Sequence, residues 1–138
     1  MVERIAHIGI AVKDMEAAVE LFAKLFNRKP EKSEEVYDQK VRTVLFDFDG
    51  TGIELLEPTV PESAIGRFIE RRGAGVHHVS FVVDDIKTEM ERLTKLGFEL
   101  VDNVPRDGAD GYLVAFLHPR STNGVLIEIS QKRSEQER

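Results

Sequence analysis

The sequence GVHHVSFVVDD, residues 75–85, places two adjacent histidines near the start of an apolar run that ends in two aspartates. A second segment, IAHIGIAVKDM at residues 5–15, has the same pattern, with His7 at the position of His78 and Asp14 at the position of Asp85. In both pairs the second residue follows the first by 71 positions. Segments that recur at a fixed spacing indicate a repeated structural unit, so we predict two equivalent modules.

The first module, about residues 4–58, is predicted to begin with a strand and to continue with a helix that Asp14 caps. The segment NRKPEKSEE then breaks the pattern, and the strands KVRTVLFDF and IELLEP follow around the tight turn DGTG. Residues 59–74 are predicted to be a linker that contains a short helix.

The second module, about residues 75–131, is predicted to repeat this order. Asp84 or Asp85 caps its helix and Gly97 follows the helix end. FELVDN, YLVAFLHP and VLIEIS are predicted strands, and VPRDGADG is predicted to be a glycine-rich loop. Each module therefore has the order β-α-β-β-β, and residues 1–138 are predicted to form a single α+β domain.

The composition limits the kinds of partner. The 25 acidic and 19 basic residues give a net charge of −6, which argues against nucleic-acid binding because phosphate contacts require a basic surface. The absence of cysteine excludes disulfides and thiolate metal ligands. No apolar run approaches the roughly 18 residues of a membrane span, and the N-terminus lacks a signal-peptide pattern. We therefore expect a cytoplasmic protein with no membrane partner, and a polar tail that frays from Ser130 onward.

A histidine on the first strand and a glutamate on the last strand recur in both modules, as His7 with Glu54 and as His78 with Glu128. A carboxylate within an apolar strand is costly to bury unless it is paired or bound to a metal. Two imidazoles and two carboxylates suit Zn²⁺, Co²⁺, Ni²⁺ or Mn²⁺. The alternative is two core histidines and two solvent-facing glutamates, but the repeated register favours a metal site.

Two further histidines are assigned other roles. Because side chains alternate along a strand, His77 must point away from the face of His78, and both cannot bind one ion. His118, in the segment LHPRS, is predicted to shape a turn.

The segments AHIGIAV, IELLEP, SAIGRFIERRGAGVHHVSFVVDDI and VAFLHPRSTNGVLIEIS resemble the methylmalonyl-CoA epimerases, which are members of the vicinal oxygen chelate (glyoxalase/bleomycin-resistance) superfamily. The resemblance covers residues 5–130. It implies two βαβββ modules that form a curved sheet around a metal site, and a homodimer. It also implies one divalent ion per chain, Co²⁺ first, with Mn²⁺, Ni²⁺ or Zn²⁺ as alternatives. The implied ligands are His7, Glu54, His78 and Glu128, and Glu54 stands where some members have glutamine.

The activity implied by the resemblance is an isomerase reaction of propionate metabolism, the metal-dependent epimerisation of (2R)- and (2S)-methylmalonyl-CoA through a metal-stabilised enolate. Glu128 is the first candidate for the base, and Glu54 could act on the opposite face. Some members have a further glutamate on the strand that matches QKVRTVLF. Thr43 occupies that position here, and a hydroxyl of ordinary pKa cannot act as a base, so a second base of that kind is in doubt.

The phosphates of an acyl-CoA substrate require cations. Basic side chains near the loops of the second module could supply them, and the glycines of RDGADGY could let the backbone approach the ligand. The alternative is an ordinary loop with solvated charges. The candidate cations are Arg106, Arg120, Lys132 and Arg133.

Three other functions fit parts of this pattern. Glyoxalase I, the lactoylglutathione lyase, would use the same four metal ligands on a glutathione hemithioacetal. A binding or antibiotic-sequestering protein of the same fold would need a cavity but no complete set of ligands. A ring-cleaving dioxygenase is less favoured because it requires two histidines and one carboxylate, one ligand fewer than the set here.

Overall fold

The computed structural model describes residues 1–134, which contain eight strands, three α-helices and two short 3₁₀ helices. The chain divides into two compact units, residues 7–77 and residues 1–6 together with the chain from His78 onward. The boundaries fall within β1 (Val2–Ala11) and within β5 (Gly75–Val83). The α+β class and the two βαβββ modules predicted from the sequence are confirmed.

The unit of residues 7–77 contains the first module from His7 of β1 onward. Its helices and strands are β1, α1 (Met15–Phe26), β2 (Lys32–Val36), β3 (Val41–Phe48), β4 (Thr51–Pro58) and the linker helix α2 (Ala64–Arg72). Its strand order is β2-β3-β4-β1. Strand β1 runs parallel to β4, whereas β3 is antiparallel to both of its neighbours. A parallel pair needs a long crossover connection, which α1, β2 and β3 supply.

The unit that starts at His78 contains the second module. Its elements after β5 are α3 (Ile86–Lys95), β6 (Arg106–Asp107), β7 (Tyr112–Leu117) and β8 (Ile127–Lys132). The strand order β5-β8-β7-β6 matches that of the first module read from its β1 outward. Strand β5 is parallel to β8, and β7 is antiparallel to β8. The second module therefore has the same pairing as the first.

The helices α1 and α3 each begin after a predicted aspartate. The backbone amide of Ala17 donates to the Asp14 carboxylate at 3.2 Å, and that of Thr88 donates to Asp85 at 3.1 Å. These bonds satisfy amides that lack an intrahelical partner at a helix start. Gly97 lies past the end of α3 with a φ of 95°, a conformation that glycine adopts without steric cost.

Each helix covers one face of its own strands with apolar side chains. In the first module Met15, Phe22 and Phe26 of α1 pack with Phe46 and Leu55 of the strands. In the second, a corresponding group of buried side chains joins α3 to β7 and β8. That group consists of Val83 of β5 together with Ile86, Met90, Leu93, Ala115, Leu117 and Ile129. The opposite face of each group of strands therefore carries the candidate ligands.

A side-chain hydrogen bond ties each helix start to the strand that carries the candidate glutamate. The amide of Met15 donates to the Glu57 carboxylate at 2.7 Å, and the amide of Ile86 donates to the Gln131 side chain at 2.8 Å. Glu57 also lies 3.4 Å from the Arg42 guanidinium. Glu57 and Gln131 follow Glu54 and Glu128 by three residues, so they lie on the helix-facing side of the strand. The same anchor thus occurs in both modules.

Three predictions about strands were wrong. FELVDN is not a strand; only Leu100 forms an isolated bridge, with Leu117. Instead, the Asp102 side chain accepts a hydrogen bond from the backbone amide of Phe116 at 2.8 Å. A strand paired with β7 at this point would need the same amide as a donor. The segment predicted to be a loop, VPRDGADG, contains the short strand β6 and a 3₁₀ turn. The predicted break NRKPEKSEE, residues 27–35, contains the first four residues of β2, which begins at Lys32.

The tail begins later than predicted. Strand β8 continues through Lys132, where Tyr112 pairs with it, so the chain does not fray at Ser130. Residues 135–138, which the same prediction covered, lie outside the described residues. Among the helices that the structure describes, none has the length and apolar character needed to cross a membrane.

Candidate metal centre

The first module brings His7 and Glu54 together. Strands β1 and β4 lie side by side in parallel, and Glu54 pairs with Gly9, the second residue after His7. Residues offset by two positions share a face of the strand. As a result, His7 Nε2 lies 3.6 Å from Glu54 Oε1, and the two side chains are only 15% and 12% exposed.

Gly52 provides space beside this pair. A Cβ atom at Gly52 would lie 2.5 Å from Cδ1 of Leu45, closer than carbon atoms approach without displacement, and 3.6 Å from the His7 Cβ. The absence of a side chain therefore lets Leu45 pack directly beside the strand pair that carries His7 and Glu54.

The second module has the same register. Glu128 on β8 pairs with Ser80 of β5, and Ser80 is again the second residue after the histidine, His78. His78 and Glu128 are both 4% exposed. The relation of histidine to glutamate across two parallel strands is therefore identical in the two modules.

The chemistry of these side chains suits a divalent cation. Within the unit of residues 7–77, His7 and Glu54 offer an imidazole and a carboxylate that could bind a metal ion. Neutral imidazole and carboxylate are ligands for Co²⁺, Ni²⁺, Mn²⁺ and Zn²⁺. That His78 and Glu128 join His7 and Glu54 around one ion stays a prediction.

His77 and His78 have different neighbours, as alternation along β5 requires. The His77 ring packs edge-on against Phe68 of α2, with ring centroids 4.9 Å apart, whereas the His78 ring packs edge-on against Phe116 of β7 at 5.6 Å. Burial lowers the pKa of His77 to about 4 from its ordinary value of 6.5, because the charged imidazolium loses solvation there. His77 is therefore neutral in the folded protein at physiological pH.

His77 is expected to make stability depend on pH. Between pH 6.5 and about 4 the unfolded chain protonates this residue and the folded protein does not, so the free energy of unfolding falls as the pH is lowered through this range. For metal-free protein, the contribution lost between pH 7.5 and pH 5 is about 2 kcal/mol. His77→Phe, which keeps a ring against Phe68, should reduce the pH-dependent loss by that amount in urea unfolding. An equal loss in both proteins would contradict this prediction.

Three of the four candidate phosphate-binding cations already pair with carboxylates. Arg120 donates two hydrogen bonds to Glu99, at 2.7 and 2.6 Å, and this pairing lowers the pKa of Glu99. The other two pairs are Arg106 with Asp102, at 3.6 Å, and Arg133 with Asp107. A role for these arginines in binding phosphates stays a prediction.

His118 and Thr43 have structural roles. The Nδ1 atom of His118 accepts from the Arg120 amide at 3.1 Å and caps a 3₁₀ turn, which confirms its predicted role in the turn. Thr43 is 5% exposed, and its hydroxyl donates to the Glu34 carbonyl oxygen of β2 at 3.3 Å. That hydroxyl therefore helps to join β2 to β3.

Residues 6–116 match the protein family described as the Glyoxalase/Bleomycin resistance protein/Dioxygenase superfamily. The chain belongs to this superfamily. This match covers most of both modules, including His7, Glu54 and His78, and accounts for the repeated βαβββ order.

Relatives within the glyoxalase superfamily include named epimerases. The chain is 35% identical over 133 residues to the ethylmalonyl-CoA/methylmalonyl-CoA epimerase of Cereibacter sphaeroides, covering 95% of this chain and 99% of the relative. It is 32% identical over 130 residues to the mitochondrial methylmalonyl-CoA epimerase of Dictyostelium discoideum, covering 94% and 78%. A solved structure of a Streptomyces coelicolor methylmalonyl-CoA epimerase variant in complex with 2-nitronate-propionyl-CoA has a TM-score of 0.91 at 31% identity, covering 97% of each chain.

These similarities confirm the resemblance inferred from the sequence motifs. They also confirm that this member of the glyoxalase superfamily is an enzyme of the epimerase type.

One side chain near the candidate ligands was missed by the sequence reasoning. Phe116 pairs with Glu128 and also contacts the ring of His78. The residue at the same place in the first module is Leu45, which pairs with Glu54. Because the first module has the aliphatic Leu45 at this position, comparison of the two modules did not indicate an aromatic residue at position 116.

Proposed function

We propose that the protein is a methylmalonyl-CoA epimerase in which His7, Glu54, His78 and Glu128 hold one divalent metal ion. The observation that carries the proposal is the identical register of histidine and glutamate in the two modules. The close approach of His7 and Glu54 supports it, as does the similarity to epimerases over nearly the whole chain. Neutral imidazoles and ionised carboxylates offer the lone pairs that such an ion requires.

The reaction inverts the carbon that lies between the thioester and the carboxylate of the substrate. Its C–H bond is weakly acidic because the electrons left by the proton delocalise into the thioester as an enolate. A divalent ion, when bound, supplies Lewis-acid stabilisation of that negative charge. The protein must then place a base within about 3 Å of the carbon-bound proton.

Glu128 is the proposed base. Its side chain is buried, which excludes water from competition for the proton, and it is placed at the end of the series His78, Ser80, Glu128 on one face of the strands. Glu54 has the equivalent position in the first module and is proposed to act on the opposite face. For net inversion, one carboxylate shifts from ligation to take the proton from carbon as the C–H bond breaks. The other carboxylate, which takes up a proton from solvent while it is not a ligand, returns that proton to the opposite face of the enolate.

The test is removal and replacement of the metal. Protein treated with a chelator is expected to lose epimerisation of methylmalonyl-CoA, and one equivalent of Co²⁺ per chain is expected to restore it, with Mn²⁺, Ni²⁺ and Zn²⁺ compared in parallel. Nuclear magnetic resonance in D₂O follows exchange of the α-proton. Activity that survives complete removal of divalent ions, or epimerisation that is absent with all four, would overturn the proposal.

A glutathione hemithioacetal is the control substrate for the same preparations. Its isomerisation, without turnover of methylmalonyl-CoA, would assign the site to glyoxalase I chemistry. Binding of small molecules without either reaction and without a metal ion would favour a binding protein of this superfamily. A cytoplasmic homodimer belongs to the proposal as well, although the mechanism depends on neither property.

A further inference from the structure

We propose that Phe116 is a positioning residue that holds the imidazole of His78 in the orientation a metal ligand needs. The proposal rests on the proposed function, because it assumes that His78 binds the ion. Phe116 lies on β7, and its ring is nearly perpendicular to that of His78, with an angle of 87° and a centroid separation of 5.6 Å. Perpendicular aromatic pairs at this distance contribute about 0.5–1.5 kcal/mol beyond the apolar area they bury.

The orientation of an imidazole decides whether it can bind a metal. The lone pair of a ring nitrogen lies in the plane of the ring, and rotation about the bond that joins the ring to Cβ turns it away from the ion. This rotation has broad minima, so a histidine ligand normally needs a neighbour that fixes its plane. Rotation of the His78 ring about the bond to Cβ would break its edge-on contact with Phe116. The contact therefore restricts that rotation.

Phe116 is itself held firmly by the segment before β7. Its amide donates to the buried carboxylate of Asp102 at 2.8 Å, and its carbonyl oxygen accepts from the Val101 amide at 2.8 Å. Asp102 is 8% exposed and lies 3.6 Å from the Arg106 guanidinium. These contacts replace the predicted strand FELVDN with a backbone clamp on Phe116. They fix the position from which its side chain reaches His78.

The first module provides a natural comparison. Leu45 has the same pairing with Glu54 that Phe116 has with Glu128. His7 has Glu54 within 3.6 Å, so a polar neighbour lies beside its ring. The His78 ring packs against the ring of Phe116, for which the first module has the aliphatic Leu45. We therefore expect Phe116 to affect the orientation of His78 and not that of His7.

The experiment compares Phe116→Leu, which introduces the residue of the other module, with Phe116→Tyr, which keeps the ring. Phe116→Leu is expected to weaken Co²⁺ binding by about 10-fold in competition with a chelating indicator, in the range typical of residues that support a metal ligand. Phe116→Tyr is expected to bind Co²⁺ like the unmodified protein. In the metal-free state, ¹⁵N-edited spectra should show one sharp set of His78 ring signals in the protein and in Phe116→Tyr, and broadened signals in Phe116→Leu.

Each result decides the inference. Equal Co²⁺ affinity of Phe116→Leu and the unmodified protein would overturn it, as would equal weakening by Leu and Tyr with equal His78 ring signals. Kinetics give a further check, because loss of orientation should lower kcat at saturating metal and leave KM nearly unchanged. If the unmodified protein binds no divalent ion, the proposed function fails, and the ring signals of metal-free protein still show whether Phe116 orients His78.

Discussion

Replacing Glu128 by glutamine is expected to abolish solvent-deuterium exchange of the α-proton in the methylmalonyl-CoA epimer that Glu128 deprotonates, while a divalent ion stays bound. The amide oxygen of glutamine can still act as a metal ligand, but the amide cannot accept a proton from carbon. Loss of a positioned base typically costs about 10²- to 10⁴-fold in rate. Metal content measured on the purified variant, together with NMR of methylmalonyl-CoA in D₂O, tests both parts of the expectation. Full exchange of both epimers in a metal-loaded variant would remove Glu128 as the base.

Glu54→Gln is the matched control for this experiment. It makes the same chemical change at the equivalent position of the first module, where some epimerases have glutamine. It should keep its metal ion and continue to exchange the α-proton of the epimer that Glu128 deprotonates, although inversion slows if Glu54 serves the opposite face. If Glu54→Gln and Glu128→Gln lose exchange equally for both epimers, the two carboxylates do not have separate roles.

Replacing His78 by phenylalanine is expected to remove metal binding and activity together. A lost ligand should cost more than the about 10- to 100-fold in metal affinity that a supporting residue contributes. Phenylalanine fits this buried position, where the side chain already packs against the ring of Phe116. Metal content after dialysis and the α-proton exchange rate are the two measurements, and thermal unfolding of metal-free protein reports whether the variant folds.

The neighbouring variant His77→Phe separates metal binding from general disruption of β5. It makes the same replacement one residue earlier, on the face that packs against Phe68. We expect it to keep the metal ion and the activity at neutral pH. A His78→Phe variant that still binds one ion tightly, or a His77→Phe variant that loses it, would contradict the assignment of His78 as the ligand.

The repeat in the sequence predicted most of the fold that positions the site. His7 and His78, each near the start of an apolar strand and each followed by a capping aspartate, fixed the order of elements in both modules. A glutamate on the last strand of each module, 47 residues after His7 and 50 residues after His78, indicated equivalent positions in the repeat. In the first module the structure brings His7 and Glu54 within 3.6 Å of each other.

The sequence did not reveal elements whose stability comes from pairing alone. Strand β2 is polar, with Val36 as its one buried residue, and it lies at the end of the strand order, so it has no apolar alternation to recognise. FELVDN has the apolar alternation of a strand, yet the carboxylate of Asp102 takes the amide of Phe116 and prevents regular pairing. The contact between Phe116 and His78 depends on that clamp and is invisible to periodicity.

Each half of the chain supplies one imidazole and one carboxylate from its own strands, and anchors its own helix with the residue three positions further on, Glu57 or Gln131. Because each anchor lies within its own half, the carboxylate of Glu57 serves only α1 and the amide of Gln131 serves only α3. A substitution at one of these two positions should therefore loosen the start of one helix and leave the other helix in place.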